Sequence, residues 1–403
     1  MDTTDLTSRI LVVSSFYFPD RAGGQAKIAY DLAQAYVSLG HEVWFLCQCI
    51  DEKMPAYQEE AGIHILRYSV KRSRSLDFTL HNKHVSAAKE MLDRFFPGYP
   101  HIVHGHDLLP YVAAIEKFQG KSQLCYTIHS PAIEELNISW KNQGFAGTIK
   151  RLLGLPIIKH LEKKALESSD ALEAKSKFIR TLIQKHYGSA IADQICLIPG
   201  WVDTKRFHPL STNKITDARL QLEWPLDIPV LFTLRRLESR MGLDNYLFAL
   251  KIVKNRGYQV FTVIGGTGSR KMHLLNLCNQ LQLSDSVRFG GFVSDDTLPL
   301  AYGACDVSIV PTAKLEGFGI IVLEGLACGK PVLTTPVGAL PEVVSTFESS
   351  WIARSSEPKA LADLICDFLD NKLPQYNEAC VLKKLEDYSF SKALTAYVKW
   401  LGI

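Results

Sequence analysis

Hydrophobic positions in the N-terminal part of the chain change from a strand-like run to a helical period and back. The apolar run Ile10–Ser14 predicts a short buried strand. A glycine-bearing turn follows, then a helical pattern over about Ala26–Leu39 that Gly40 ends, and then a strand pattern at Glu42–Cys47. Strand, helix and strand in this order predict a βαβ unit.

The same pattern returns about 220 residues later, which predicts a second unit of the same kind. It consists of a strand at Val230–Leu234, a loop to Gly242, a helix over about Leu243–Arg256 and a strand at Gln259–Ile264. Two such units predict an α/β protein with two Rossmann-like domains. Further strands are predicted at Ile102–His104, Gln123–Ile128, Ala171–Ala174, Ile195–Ile198, Val287–Phe289, Val307–Val310 and Val332–Thr334.

The domain boundary is predicted near Pro199–Phe207, after the strand that ends the first half and before a polar stretch. We therefore expect one domain over residues 1–200, a second over 201–385, and a closing segment over 386–403. That closing segment holds an amphipathic helix, Ser389–Leu401, with aromatic residues on its apolar face. By pattern alone it is a C-terminal helix that docks on a core.

Composition narrows the class of protein. The chain has 403 residues, of which 47% are hydrophobic and 22% charged, with a net charge of +3, and neither half is polybasic. These values favour a soluble two-domain protein and disfavour nucleic acid as a partner. Nine scattered cysteines, without zinc-ligand spacing, favour reduced thiols and no metal. No apolar run reaches the roughly 20 residues of a membrane span, so we expect a cytoplasmic protein.

Two glutamates flank a glycine-containing loop in the second half. Glu316 follows the predicted strand Val307–Val310, Gly317 and Gly319 loosen the backbone, and Glu324 lies in a predicted helix, Leu323–Gly329. Ligands of α/β sheets bind beyond the carboxyl ends of the strands, and a helix N-terminus attracts phosphate. A nucleotide-sugar, which carries both phosphate and hydroxyls, suits this pattern. A surface loop with both glutamates solvated suits it equally well.

A series of short motifs in a fixed order covers nearly the whole chain. They are Gly23-Gly24, Gly40–Val43, Tyr126–His129, Ile198–Asp203 with Arg206-Phe207, Leu234–Leu237, Gly265-Gly266, Gly290–Val293, Glu316 with Glu324, Ala327–Val332 and Val337–Glu342. In these motifs the chain resembles the retaining nucleotide-sugar glycosyltransferases of family 4, also called glycosyl transferases group 1. No single motif is decisive, but their order and spacing are specific.

The resemblance implies a GT-B architecture, with two facing Rossmann-like domains, a central cleft and a C-terminal helix that crosses back onto the N-terminal domain. It implies a donor domain at the C-terminal side and an acceptor domain at the N-terminal side. The implied reaction moves a sugar from a nucleotide diphosphate sugar, UDP- or GDP-type, to a hydroxyl of a saccharide, glycolipid or small molecule. Anomeric configuration is retained, and neither a cofactor nor a divalent metal is implied.

The resemblance also implies roles for residues in the C-terminal domain. Glu324 corresponds to the residue that binds the donor ribose, Glu316 lies by the transferred sugar, and Arg236 stabilises the leaving diphosphate. Backbone N–H groups toward sugar and phosphate are implied for Gly317, Phe318, Gly319 and Ile320. On the residues alone, an arginine near a strand end, such as Arg236, is more often part of a surface ion pair.

Further implied contacts come from other loops. His129 corresponds to a residue that contacts the donor sugar, and Gly23 and Gly24 let the backbone approach the donor phosphates. Gly265 and Val293 line the implied nucleotide base pocket. The cluster His104–Asp107 looks like a set of metal ligands, but we interpret it as a strand end lining the cleft, with His106 near the acceptor.

One position departs from the family pattern. Met241 stands where most members carry a lysine that helps hold the diphosphate. We expect Arg240 to supply this second charge. A second departure is Trp201, which stands where a glycine is common.

Basic residues recur in two stretches of the first half. The first is a predicted loop with Arg67, Lys71, Arg72 and Arg74, and the second is a predicted helical region with Lys150, Arg151, Lys159, Lys163 and Lys164. The second stretch lies among apolar residues that follow Phe145. Such a pattern is typical of a peripheral contact with an anionic membrane, and also of an ordinary solvated helix face.

Other functions remain open on the sequence. A nucleotide-sugar epimerase or a phosphorylase shares the GT-B architecture, and Met241 allows a non-catalytic binder of nucleotide-sugars. A nicotinamide-dependent dehydrogenase is disfavoured because no Gly-x-Gly-x-x-Gly motif follows the first strand of either βαβ unit.

Overall fold

A computed structural model describes residues 7–20, 23–70, 79–141 and 143–403. The chain divides into two compact units. Unit 1 comprises the described residues up to 198 together with 394–403, and unit 2 comprises residues 199–393.

Unit 1 is built on one eight-stranded sheet. Its strands are β1 Arg9–Val13, β2 Glu42–Gln48, β3 Tyr57–Glu60, β4 Ile63–Tyr68, β5 Ile102–Gly105, β6 Gln123–Ile128, β7 Ala171–Ala174 and β8 Ile195–Leu197. They lie in the order β3-β4-β2-β1-β5-β6-β7-β8, and every neighbouring pair is parallel except β3 and β4. After its first residue, Arg9, the central strand β1 is apolar and buried, because helices cover both faces of a parallel sheet.

Helices connect these strands. They are α1 Gly24–Ser38, α2 Leu80–Phe95, α3 Leu108–Phe118, α4 Ala132–Lys141, α5 Gly144–Ile149, α6 Leu155–Ser168, α7 Lys177–Tyr187 and α8 Ser189–Ala192. A π-helical turn, Lys150–Gly154, joins α5 directly to α6.

Unit 2 has a five-stranded, all-parallel sheet in the order β11-β10-β9-β12-β13. The strands are β9 Val230–Leu234, β10 Phe261–Gly265, β11 Val287–Gly291, β12 Val307–Val310 and β13 Val332–Thr334. The helices are α9 Thr212–Gln221, α10 Leu243–Asn255, α11 Lys271–Gln280, α12 Thr297–Ala304, α13 Ile320–Ala327, α14 Leu340–Phe347, α15 Pro358–Leu369 and α16 Glu378–Leu385. Short 3-10 turns lie at Ser239–Met241, Ser349–Trp351 and Glu386–Tyr388.

The last helix, α17 Phe390–Leu401, contributes to both units. Near its start Phe390 packs on Trp201 in unit 2, with ring centroids 5.2 Å apart. Near its end Tyr397 is fully buried in unit 1, and Trp400 packs edge-on against His104. The aromatic face of this helix is therefore used for packing.

The predicted strands of both βαβ units are confirmed, because continuous apolar runs have few alternatives to a buried strand. The antiparallel pair β3–β4 at the sheet edge was not predicted. Arg67 was placed in a basic loop, and this is wrong: it lies on β4, is 2% exposed and donates from Nε to Asp20 Oδ2 at 2.8 Å. The other residues of that stretch, Lys71, Arg72 and Arg74, lie outside the described residues.

One helix begins earlier than predicted. α13 begins at Ile320, not at Leu323, so Glu324 lies in its second turn. Among the helices of the described residues, none has the length and apolar character needed to cross a membrane.

Candidate functional site

Loops at the carboxyl edge of the unit 2 sheet carry most of the residues singled out by the sequence. Because β9, β10, β11 and β12 run parallel, the segments that follow them meet at one edge. These segments are Arg235-Arg236, Gly265-Gly266, Gly291–Val293 and Glu316–Gly319. In open α/β sheets this edge is where ligands bind.

Glu316 is the best-defined carboxylate at this edge. Its Oε2 accepts hydrogen bonds from Arg235 Nη2 at 2.5 Å and from Thr312 Oγ1 at 3.1 Å. Burial raises the pKa of Glu316, but the charge and hydrogen bond of Arg235, with help from Arg240 and Thr312, outweigh burial and lower the pKa overall. Glu316 is therefore an ionised carboxylate held in one orientation.

Two consecutive arginines follow β9 and have different surroundings. Arg235 is 7% exposed, and its backbone N–H donates to Gly265 O at 3.0 Å. Arg236 is exposed. The ion-pair partner of Glu316 is thus Arg235, a residue that the sequence did not single out. Its one sequence signal is its position directly after a buried strand, where a polar side chain remains near the core.

Arg240 and Met241 lie on the 3-10 turn that precedes α10. Arg240 donates from Nη1 to Leu315 O at 2.9 Å, and its own carbonyl accepts from the N–H groups of Ala313 and Lys314. Arg240 therefore ties this turn to the loop that carries Glu316. Met241 is 6% exposed and belongs to the hydrophobic core of unit 2.

The start of α13 carries the second glutamate. Gly319 precedes the helix with φ 93°, a left-handed conformation that favours glycine, and Phe318 beside it is buried. Glu324 Oε2 accepts a hydrogen bond at 3.1 Å from Tyr302 Oη, and Tyr302 is fully buried. The N-terminus of α13 thus presents a partial positive charge next to two oriented carboxylates.

Gly265 and Val293 are brought together. A Cβ atom on Gly265 would lie only 2.9 Å from Val293 Cγ2, so the side chain of Val293 covers the glycine. The two residues expected to share a pocket are therefore neighbours at this edge.

In unit 1 a separate group gathers beyond β1, β5 and β6. His129 follows β6, and its Nε2 lies 3.0 Å from Nδ1 of His106, which follows β5. Gln25, the residue after Gly24, donates from Nε2 to His106 O at 2.7 Å. The Gly23-Gly24 turn is in this way connected to both histidines. Burial, the largest cause, lowers the pKa of His106 and of His129 well below the ordinary range, so both are neutral.

His104 lies beside His106, with ring centroids 4.3 Å apart, but its hydrogen-bond partners are Tyr36 and Thr127. Its ring nitrogens lie 3.1 Å from Tyr36 Oη and 2.9 Å from Thr127 Oγ1, and the residue is fully buried. Burial first, and then the nearby charge of Lys175, lowers the pKa of His104 to about 3. Over the described residues, no group of three or more histidine, cysteine or acidic side chains is arranged to hold a metal ion.

Sequence reasoning missed the supports of the site, namely Arg235, Thr312, Tyr302 and Gln25. Each acts on a residue from another part of the chain, except Thr312, which is four positions from Glu316. Partners of this kind leave no local pattern.

Two family models match the chain. The model described as Glycosyl transferases group 1 matches residues 214–383, and the model described as Glycosyltransferase Family 4 matches residues 22–206. The first match lies within unit 2, and the second covers most of unit 1.

Curated relatives are similar over part or most of the chain. A GDP-mannose-dependent alpha-(1-6)-phosphatidylinositol monomannoside mannosyltransferase of Mycobacterium tuberculosis is 28% identical over 222 residues, 53% of this chain and 56% of that protein. The match thus spans about half the length of that relative. A D-inositol 3-phosphate glycosyltransferase of Streptomyces scabiei is 26% identical over 315 residues, 75% of this chain and 68% of that protein.

Solved structures share the fold across nearly the whole chain. The sucrose-phosphate synthase of Thermosynechococcus elongatus superposes with a TM-score of 0.79 at 21% identity, covering 97% of this chain and 98% of that one. Anabaena Alr3699/HepE in complex with UDP and glucose superposes with a TM-score of 0.74 at 19% identity, covering 98% and 99%. These likenesses show that the chain has the GT-B fold. The two family models, which together match residues 22–206 and 214–383, show that the chain belongs to the group 1, family 4 glycosyltransferases.

Proposed function

We propose that this glycosyltransferase moves a sugar from a nucleotide diphosphate sugar to a hydroxyl of a saccharide, a glycolipid or a small-molecule acceptor, with retention of anomeric configuration. The observation that carries the proposal is the ionised Glu316, held by Arg235 and Thr312 beside the N-terminus of α13. An oriented carboxylate next to an anion-binding helix end suits a ligand with sugar hydroxyls on one side and diphosphate on the other.

The donor is proposed to lie along the carboxyl edge of the unit 2 sheet. Glu324, oriented by Tyr302, binds the ribose hydroxyls. Gly265 and Val293, which are in contact, line the base pocket. Backbone N–H groups of the segment Gly317–Ile320 point to sugar and phosphate. UDP-type and GDP-type donors both fit, since solved relatives hold UDP and a curated relative is GDP-mannose-dependent.

Arg236 is the residue proposed to stabilise the negative charge on the leaving diphosphate. The side chain of Arg236 is exposed at this edge of the sheet, whereas the neighbouring Arg235 is ion-paired with Glu316. A guanidinium aimed at charge that develops as the glycosidic bond breaks lowers the barrier to reaction. Arg240 contributes a second charge in place of the usual lysine, since Met241 is buried in the core.

Retention is proposed to follow from attack on the face from which the diphosphate leaves. In this proposal Glu316, whose Oε2 is held by Arg235 and Thr312, orients the sugar and does not act as a nucleophile. No step requires a divalent metal, so chelation of metal ions is expected to leave the rate unchanged.

The proposed location is the cytoplasm or the cytoplasmic face of a membrane. Relatives whose names specify a phosphatidylinositol mannoside and inositol 3-phosphate as substrates make a lipid-linked or inositol-like acceptor a natural first choice.

Donor binding is tested by thermal shift with uridine, guanosine and adenosine diphosphates and their sugars. At about a hundred times Kd a ligand stabilises by about 2.7 kcal/mol, so the correct base is expected to stand out. If none of these ligands raises the Tm, the chain does not bind a nucleotide-sugar and the proposal fails.

Transfer is tested with the donor found in this way. Free nucleotide diphosphate is expected only when an acceptor is added, and the product is expected to keep the anomeric configuration of the donor by NMR. Arg236→Ala is expected to lower kcat about a hundredfold, and Arg288→Ala, an exposed arginine at the start of β11, should leave it unchanged. Conversion of the donor without an acceptor would indicate an epimerase. A product with inverted anomeric configuration would show that the proposed retention is wrong.

A further inference from the structure

The helical run from α5 to α6 in unit 1 exposes large apolar side chains that no other part of the described chain covers. Phe145 is 82% exposed, Leu152 73% and Leu153 51%. Three such side chains within nine positions form a cluster, whereas scattered single apolar residues are normal on a protein surface. We call Phe145, Leu152 and Leu153 the apolar cluster.

The outward direction of this cluster follows from the packing of the opposite face. Gly147 and Gly154 are buried against Trp140 of α4, where a Cβ on Gly147 would lie 1.9 Å from Trp140 O and one on Gly154 2.9 Å from its ring. Further along the run, Ile158 and Glu162 are also buried. The π-helical turn Lys150–Gly154 keeps these inward positions in line, so the apolar cluster is turned outward.

The run is firmly attached to the rest of unit 1. Glu162 accepts hydrogen bonds from the N–H of Ala132 at the start of α4, at 2.5 Å, and from Tyr187 Oη. A surface with fixed backbone on one side and exposed apolar side chains on the other is preformed for docking.

The charge around the cluster has one sign. Residues 136–161 contain no aspartate or glutamate, and their basic residues are Lys141, Lys150, Arg151 and Lys159. Lys150 donates to Gln143 Oε1 and Arg151 to Asn137 Oδ1, both uncharged acceptors at 2.8 Å. Among the described residues none of the four forms an ion pair, in contrast to Lys163 and Lys164, which pair with Glu167 and Glu116.

We propose that the apolar cluster and the four basic residues around it dock the protein on an anionic lipid bilayer. Phenylalanine and leucine side chains enter the boundary between headgroups and acyl chains, and un-neutralised lysine and arginine bind the anionic headgroups. Anionic lipid is the occupant that meets both features at once, since an apolar partner without negative charge leaves four cations unused. Docking requires no sugar transfer, so it stands or falls independently of the proposed reaction.

Vesicle flotation tests the proposal with the full chain. Vesicles of phosphatidylglycerol and phosphatidylcholine in about equal parts are compared with phosphatidylcholine alone. We expect flotation with the anionic vesicles, loss on raising the salt concentration, and little flotation with neutral vesicles. Absence of salt-sensitive binding to anionic vesicles overturns the proposal.

A matched pair of triple variants assigns the binding to this surface. The first triple variant is expected to lower the fraction of protein bound to anionic vesicles at least about tenfold. It combines Phe145→Ser, Leu152→Ser and Leu153→Ser. The control is Phe248→Ser, Leu220→Ser and Leu226→Ser, the same residue types exposed in unit 2. Equal effects of the two triples overturn the proposal.

A charge variant covers the case in which the first triple fails to fold, as judged by its Tm. This variant is expected to lose flotation with anionic vesicles and to keep its thermal shift with the donor nucleotide. It combines Lys141→Glu, Lys150→Glu, Arg151→Glu and Lys159→Glu.

Sedimentation without lipid is run in parallel. If the wild type is an oligomer that the serine triple dissociates, the cluster binds a second copy of the chain and the membrane proposal is wrong.

Discussion

Adjacent residues of one type have different roles in this protein, as Arg235 and Arg236 show. Arg235 is buried and bound to Glu316, whereas Arg236 is exposed at the same edge of the sheet. The family motif contains both arginines, but the resemblance implied a role only for Arg236. The state of Glu316 depends on Arg235, because burial alone would raise the pKa of the carboxyl.

We predict that Arg235→Met shifts the pH dependence of kcat/KM. Wild-type Glu316 has a lowered pKa, so it stays ionised as the pH falls below the ordinary range for glutamate. Without the guanidinium, burial raises that pKa, and the acid limb of the profile is expected to move to higher pH. Losing one partner of a buried pair also costs about 3 kcal/mol of stability, measured by urea unfolding.

Arg235→Lys is the control, since it keeps the charge and is expected to preserve most of the acid limb. A purely structural role for Arg235 would lower the stability of the Met variant and leave its pH profile in place. That result would contradict the prediction.

Arg240→Ala is predicted to lower turnover at least tenfold, which corresponds to roughly 1.4 kcal/mol of barrier. The variant removes a charge near the leaving diphosphate and also the hydrogen bond to Leu315 O. Arg240→Lys separates these effects, because a lysine retains the charge but not the planar guanidinium. Unchanged kinetics in the alanine variant would show that Arg236 and the backbone suffice.

At the scale of elements, strands made of short apolar runs could be predicted closely, and the polar edge strand β3 could not. β6, β7, β9, β12 and β13 have the predicted bounds, because each is a short apolar run between turn signals. β3, with the sequence Tyr-Gln-Glu-Glu, is exposed and shows no hydrophobic pattern; its pairing with β4 makes it a strand. The pattern therefore fails where partner strands, not burial, create the element.

Helix α10 allows a prediction about its two flanking glycines. Gly242 before it and Gly257 after it both have positive φ, 73° and 92°. A Cβ on Gly242 would lie 1.9 Å from Pro311 O, whereas one on Gly257 meets nothing within 4 Å. Gly257→Ala is expected to cost about 1 kcal/mol from backbone strain, and Gly242→Ala about 3 kcal/mol or more, because the loop before Glu316 must also move.

Urea unfolding followed by the fluorescence of unit 2 measures the loss of stability in each variant. Thermal shift with the donor shows whether the loop before Glu316 still supports donor binding. If the two variants lose equal stability, the close approach of Gly242 to Pro311 has no energetic consequence. Weaker donor binding is expected for Gly242→Ala alone.

At the scale of the whole molecule, buried histidines distinguish the two units. His104, His106 and His129 lie inside unit 1, where burial lowers each pKa, that of His104 to about 3. The described histidines of unit 2, His208 and His273, are exposed. The units are therefore expected to respond differently to acid.

We predict that unit 1 loses stability first as the pH falls below about 6.5, the ordinary pKa of histidine. In that range the histidines are protonated in the unfolded chain but stay neutral in the folded unit. The stability of unit 1 therefore rises with pH and is lost on acidification. The carboxyls of Glu173, Asp107 and Glu162, whose pKa burial raises, act in the opposite sense. Two further histidines of unit 1, His41 and His84, add to the acid sensitivity, because burial lowers their pKa as well. Hydrogen exchange at pH 7 and pH 5 is expected to show loss of protection in the strands of unit 1 before those of unit 2.

His104→Gln tests the cause, because glutamine can hydrogen-bond to Tyr36 or Thr127 without titrating. Its unit 1 is expected to be less sensitive to acid than the wild type. Equal loss of protection in both units, or no gain in the variant, would contradict the role of the buried imidazoles.

The sequence by itself determined the α/β class, most strand positions and the order of motifs that marks the family. These properties depend on local periodicity and on spacing along the chain, which are visible in one sequence. Only the tertiary structure decided that Arg235 holds Glu316, that Arg67 is buried against Asp20, and that Phe145, Leu152 and Leu153 face outward. The reason is that burial, ion pairing and pKa depend on groups brought together from distant parts of the chain.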